Sequence, residues 1–380
     1  MNRFNSNFLN TPLFRFPLVL IILLVLAGCK EEKAVNPSPA PAAAATVDKT
    51  DPVFTPAGSS FATHSSSTIV SGGKNSAGVP GKDTAAAAAE AGACPGVAGE
   101  DPEFAKEMGW PVKSPALLPG SILPAKRIIT YYGNPLSKRM GALGEYETKD
   151  MLCRLKAEAK RWRDADPSIP VQPALHLIAV VAQCDPGKAG KYRMVMPDEI
   201  VNKVYGWAKG EKSLLFIDIQ TGHEDIRTLL PRFEWILKNP DVHLGIDPEF
   251  NLVASKKIPG TKVGTFDASE INYVTGYLKD LVNKYHLPPK VLTVHRFTRK
   301  GVTNYRKIVL RPEVQIVMHM DGWGGPHLKR ASYKDYVIAE PVQYTGFKLF
   351  YHNDTKKGDP LMTPKDVLRL NPKPVYIMYQ

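Results

Sequence analysis

Leu214-Leu-Phe-Ile-Asp-Ile-Gln-Thr-Gly-His-Glu-Asp-Ile-Arg-Thr-Leu-Leu-Pro-Arg-Phe-Glu-Trp-Ile-Leu-Lys-Asn-Pro-Asp-Val-His-Leu-Gly-Ile-Asp247 spells one strand–helix–strand unit. The first six residues are an apolar, β-branched run, the mark of a strand buried on both faces. Ile226 to Lys238 has helical spacing, and Val242 to Asp247 is a second buried strand. Two parallel strands joined by a helix form the βαβ unit.

The same alternation extends in both directions. Upstream stand Ile128-Ile-Thr-Tyr-Tyr132 and Ala174-Leu-His-Leu-Ile-Ala-Val-Val181. Downstream stand Val291-Leu-Thr-Val-His295, Val314-Gln-Ile-Val-Met-His-Met320, Gly346-Phe-Lys-Leu-Phe-Tyr351 and Val375-Tyr-Ile-Met-Tyr379. Helical patterns fall at Lys149–Asp164, Pro197–Lys209, Ala268–Tyr285 and Thr363–Leu370. Strands and helices alternating over about 250 residues predict an α/β fold, a single-domain (β/α)8 TIM barrel over 101–380. An open doubly wound sheet is the runner-up, but no Gly-rich phosphate loop follows the first strand. The last strand runs up to Gln380, and no helix is expected to follow it. Asp101–Leu118 is expected to cover that gap.

Barrel chemistry sits at the C-terminal ends of the strands, where residues of one parity point inward. Polar residues gather there. They are Tyr132 on the first strand, Asp218 and Gln220 on the third, and Asp247 and Glu249 on the fourth. His295 ends the fifth strand, His319 and Asp321 the sixth, Lys348 the seventh and Gln380 the eighth. Asn134, Gln183, Asp185, His352 and Asp354 have comparable positions, whereas His176 and His243 start their strands and read as structural or solvent-facing. Acids in apolar strands are costly unless paired or used. In Gly245-Ile-Asp-Pro-Glu249, two carboxylates two residues apart share a face. Burial and mutual repulsion should raise one pKa and suit it to protonating a leaving group. A partner carboxylate is sought among Asp218, Asp321 and Asp354. Trp323, in a Gly-rich loop, offers a flat face to a sugar.

Three of these patches resemble the chitinase-type glycoside hydrolases: Tyr131-Tyr132, Asp247-Pro248-Glu249 and Met318-His-Met-Asp321. The resemblance implies Glu249 as general acid. It implies that Asp247 orients Glu249 or a substrate acetamido group, and that Asp321 bonds the sugar. Gly245, Met320 and Asp218-Ile-Gln220 depart from that family's motifs. The fourth-strand Asp-x-Glu and terminal glutamine also resemble barrel muramidases. Over the whole barrel the chain is similar to uncharacterised bacterial lipoproteins with matching Ile-Asp-Pro-Glu and Gly-Phe-Lys-Leu-Phe-Tyr segments.

The leading expectation is a glycoside-hydrolase-like enzyme acting on a cell-envelope or extracellular polysaccharide. Glu249, Asp247, Asp218 and Asp321 are its catalytic group. Tyr132, Gln220, His295, His319, Trp323, Lys348 and Gln380 would bind substrate. This chemistry requires no cofactor, and no metal is assigned. Two alternatives stay open. One is a non-catalytic carbohydrate-binding barrel. The other is a metal-dependent hydrolase using His295, His319 and His352 beside Asp218, Asp247 and Asp321.

The N-terminal region carries the compartment. Arg3 and Arg15 precede the apolar run Pro17–Leu26, too short to span a membrane comfortably. Leu26-Ala-Gly-Cys29 resembles the bacterial lipoprotein box, which implies a signal peptide over 1–28 and a diacylglycerol on Cys29. The expected location is the bacterial cell envelope, lipid-anchored and extracytoplasmic, with Lys30 compatible with the outer membrane. Residues 29–100, rich in Ala, Pro, Ser and Gly, read as a disordered tether. Cys94, Cys153 and Cys184 allow three disulfide pairings, among which spacing does not choose. The net charge of +12, or +10 once the leader's two arginines are removed, comes without a compact basic run, so nucleic acid is not an expected partner. Oligomeric state is left open.

Overall fold

A computed structural model describes residues 97–380. The expected signal peptide over 1–28, Cys29, most of the expected tether over 29–100 and Cys94 lie outside the described residues. Cys153 is an exposed free thiol.

Eight parallel strands close into a barrel: β1 Arg127–Gly133, β2 Val171–Ala182, β3 Leu214–Ile219, β4 Val242–Ile246, β5 Lys290–Arg296, β6 Val314–Met320, β7 Tyr344–Leu349 and β8 Tyr376–Tyr379. Strands β8 and β1 pair from Ile128↔Tyr376 to Tyr131↔Tyr379, and β1 pairs with β2, which closes the ring. Registers put Tyr132 beside His176, Asp218 beside Gly245, and His295 beside His319. A short strand, Arg193–Val195, adds antiparallel to the end of β2. Phe266–Asp267 and Val302–Thr303 form a second small sheet.

The long helices Thr148–Ala165 and Ala268–Tyr285 each bury an apolar stripe. The second opens with a capping box, in which Asp267 and Glu270 satisfy each other's backbone N–H groups. The expected helix at Ile226–Lys238 is broken. Pro231 removes a backbone donor, and α-helical turns at Ile226–Leu229 and Glu234–Leu237 flank a 3-10 turn. A helix not anticipated from sequence runs over Pro326–Ser332 and continues as a π-helical turn to Ile338. That turn shifts the side-chain period, which hides the helix from a 3.6-residue search.

Asp101–Leu118 does not pack beside β8 as expected. Its helix, Pro102–Met108, leads into Trp110, whose indole donates to the Ile338 carbonyl at 2.9 Å. Thr148–Ala165 contacts Pro364–Leu368 directly. Trp162 also donates to the Tyr379 hydroxyl at 2.9 Å, tying the helix to β8. The segment before β1 instead plugs the N-terminal end of the barrel. Buried Leu123 sits there, and the Gln315 amide bonds the Ile122 N–H, the Leu123 N–H and the Leu123 carbonyl.

Candidate functional site

Two layers of side chains fill the C-terminal half of the barrel. The upper layer opens on a cleft of about 320 Å³. Tyr132, Gln220, Asp247, Glu249, Asp321, Trp323, Lys348 and Gln380 all line it, together with Phe297 and Phe350. All eight of these expected rim residues therefore converge from six strands or the loops that follow them. Asp218, His295 and His319 are fully buried below.

The lower layer is a chain of charges. Asp218 accepts from the Tyr132 hydroxyl at 3.0 Å on Oδ2. Its Oδ1 faces His176 Nε2 at 3.3 Å and His295 Nε2 at 3.4 Å. The other nitrogen of His295 donates to Asp321 Oδ2 at 3.0 Å, and Lys348 Nζ lies 2.7 Å from Asp321 Oδ1. Lys348 also stands over the Tyr132 ring at 4.2 Å. Burial alone would lower the His295 pKa, but the two carboxylates on either side push it up to about 10. Burial would raise Asp321, yet Lys348 and His295 hold it well below the carboxylate range. Asp218 is likewise held low, against its burial, by the adjacent His295 and His176 rings. Both aspartates are thus ionised and neutralised by neighbours.

The fourth strand behaves in the opposite way. Asp247 caps the short 3-10 turn Pro248–Phe250, accepting from the Glu249 N–H at 3.1 Å, and takes the Gln220 amide at 3.3 Å. Burial, then the Asp218 and Asp321 charges, push its pKa up to about 7. Glu249 reaches about 8, through burial and then the Asp247 and Asp321 carboxylates. No lysine or arginine forms an ion pair with Glu249 among the described residues. At neutral pH the site therefore holds a neutral carboxylic acid on an open cleft, above carboxylates that stay ionised. Environments that separate pKa values in this way are those that assign acid roles in catalysis.

Several positions fall elsewhere. β7 ends at Leu349 and the chain enters turns, so strand parity no longer applies to His352, which is exposed and bonds Glu145 at 2.9 Å. The metal-hydrolase alternative loses that residue. Asp354 is buried but tied to Lys329 at 3.0 Å and to the Phe350 and Gly324 N–H groups, which removes it as a free carboxylate. Asn134 donates to the Ile178 carbonyl. His243 is buried, not solvent-facing, and accepts the Val291 N–H. His176 lies in the barrel interior, where its Nδ1 meets the Tyr376 hydroxyl at 2.7 Å. Its even spacing from Ile178 within the strand was the available signal. No family model matches this chain, and no curated protein matches it.

Proposed function

We propose that the barrel is a glycoside-hydrolase-like enzyme acting on a cell-envelope or extracellular polysaccharide, with Glu249 as general acid. The observation that carries this reading is the Glu249 carboxyl, unpaired on the cleft and held protonated up to about pH 8. A glycosidic oxygen needs such a donor: the proton passes from Glu249 to the leaving oxygen as the C–O bond breaks. Asp247, two residues away, would orient Glu249 or a substrate amide group. Trp323, Phe297 and Phe350 offer apolar faces along the cleft on which sugar rings can stack. Asp218 and Asp321 are already satisfied by fixed cations, so neither serves as a free nucleophile. The positively charged carbon would instead be captured by the substrate's own amide or by water. The chitinase-like patches favour the first route. The site would work outside the cytoplasm, held to the envelope by a lipid on Cys29.

A second reading, a non-catalytic carbohydrate-binding barrel, draws on the same ion-paired aspartates. One experiment separates the two. The full-length protein is incubated with envelope and extracellular polysaccharides, and new reducing ends are counted. The enzyme reading expects release by the wild type and a loss of about 10²–10⁴-fold in Glu249→Gln. Saccharide binding without release, equal in both proteins, would favour the binding barrel.

A further inference from the structure

We infer that His176, Asp218 and His295 form a mononuclear site for a divalent transition cation, of the zinc class, inside the barrel beneath the cleft. Their free atoms converge: His176 Nε2, Asp218 Oδ1 and His295 Nε2 lie within 4.8 Å of one another. The two nitrogens stand 3.3 and 3.4 Å from the oxygen. Ligands about 2.0–2.1 Å from a tetrahedral zinc ion are about 3.3 Å apart, so this spacing fits a shared ion. It fits direct hydrogen bonds poorly: all three atoms are buried and have no hydrogen-bond partner. Buried polar atoms left unpaired are costly, and three gathered within 4.8 Å of one another call for a common partner.

The atoms facing away from that point are all held. Tyr376 bonds His176 Nδ1, Tyr132 bonds Asp218 Oδ2, and Asp321 accepts from His295 Nδ1. This is the outer shell that metal ligands need, with the far nitrogen of each imidazole fixed; binding a cation releases the proton that His295 Nε2 otherwise holds between its two carboxylates.

Gly245 supplies the space. Its backbone is ordinary, so conformation does not require glycine there. A Cβ at 245 would lie 2.4 Å from both Asp218 Oδ1 and His176 Nε2. Residue 245 thus leaves open a hollow at close to coordination distance from two of the three ligands. The neighbouring cluster of His295, His319 and Asp321 is the poorer choice. Its His295 nitrogen and Asp321 oxygens are already engaged, and the Lys348 ammonium would repel a cation there.

The inference does not rest on the glycosidase reading, because metal content and turnover are measured separately. Full-length protein without a polyhistidine tag is stripped with chelator and titrated with Co²⁺. The wild type should take up a single equivalent, with visible d–d absorption of tetrahedral strength that Zn²⁺ abolishes. Its melting temperature should rise with added Zn²⁺, because an ion bound only by the folded chain stabilises it. His176→Gln should lose the bands and His319→Gln should keep them. A folded wild type that binds no Co²⁺ overturns the inference, whether or not the variants fold. Bands that persist in His176→Gln, or vanish only in His319→Gln, overturn it too.

Discussion

Replacing Lys348 with methionine removes the one ammonium that faces Asp321. Lys348 is 3% exposed and Asp321 4%, their contact is 2.7 Å, and the Lys348 ammonium stands 4.2 Å from the Tyr132 ring centroid and 4.9 Å from that of Phe350. Methionine keeps an apolar stem of similar length, so the loss falls on the charge, its cation–π contacts included. Removing one partner of a buried ion pair typically costs about 3–5 kcal/mol, and the loss should fall toward the lower figure because His295 stays 3.0 Å from Asp321. An unfolding entropy of about 2.1 cal/mol/K per residue gives a barrel of this size roughly 0.6 kcal/mol/K, so Lys348→Met should melt roughly 5–8 °C lower. The assay is thermal unfolding followed by circular dichroism. The diagnostic is the double variant Lys348→Met with Asp321→Asn. Asparagine keeps the hydrogen bond from His295 and carries no charge, so the pair should recover most of the loss. A single variant within about 2 °C of wild type would refute the assignment of Lys348 as the counter-ion of Asp321. So would a double variant that melts no higher than the single.

Two further outcomes follow from the same charges. Glu249 and Asp247 titrate at about 8 and about 7 when folded, against ordinary values of 4.5 and 3.8. Between those limits the folded chain holds protons that the unfolded chain has released, so their contribution to stability is complete at low pH and is lost as pH rises through 7–8. Denaturant midpoints should therefore fall from pH 5 to pH 8.5 in the wild type, and fall less in Glu249→Gln; an equal slope would count against the buried acid. Trp323→Ala should weaken saccharide affinity about tenfold with little change in melting temperature, if its ring stacks on the ligand; calorimetric titration showing unchanged affinity would return Trp323 to a packing role.

Much of the fold was legible because buried parallel strands are apolar throughout and their runs stand out. Parity did the same for the site: residues 218 and 220, 247 and 249, and 319 and 321 face inward because strand side chains alternate. What sequence could not give is contact across strands. The Lys348–Asp321 pair depends on β7 lying beside β6 with Gly346 opposite His319. His176 sits deeper in its strand than the apolar run suggests, for a local reason. Pro173 lacks a backbone donor and reads as a strand start, yet the β1 pairing continues back to Val171, which sets His176 well inside the barrel. Gly245 departs from a motif that expects an acid; the space between Asp218 and His176 that its missing side chain leaves is visible only in three dimensions.

The central claim is that Glu249 is a neutral acid at physiological pH. Infrared difference spectroscopy of wild type against Glu249→Gln, taken across a pH series, reads that carboxyl directly. The account predicts a protonated-carboxyl C=O band in the wild type at pH 6.5 that converts to carboxylate with a midpoint near pH 8. A carboxylate signal already complete at pH 6.5, with the midpoint near the ordinary 4.5, would contradict it.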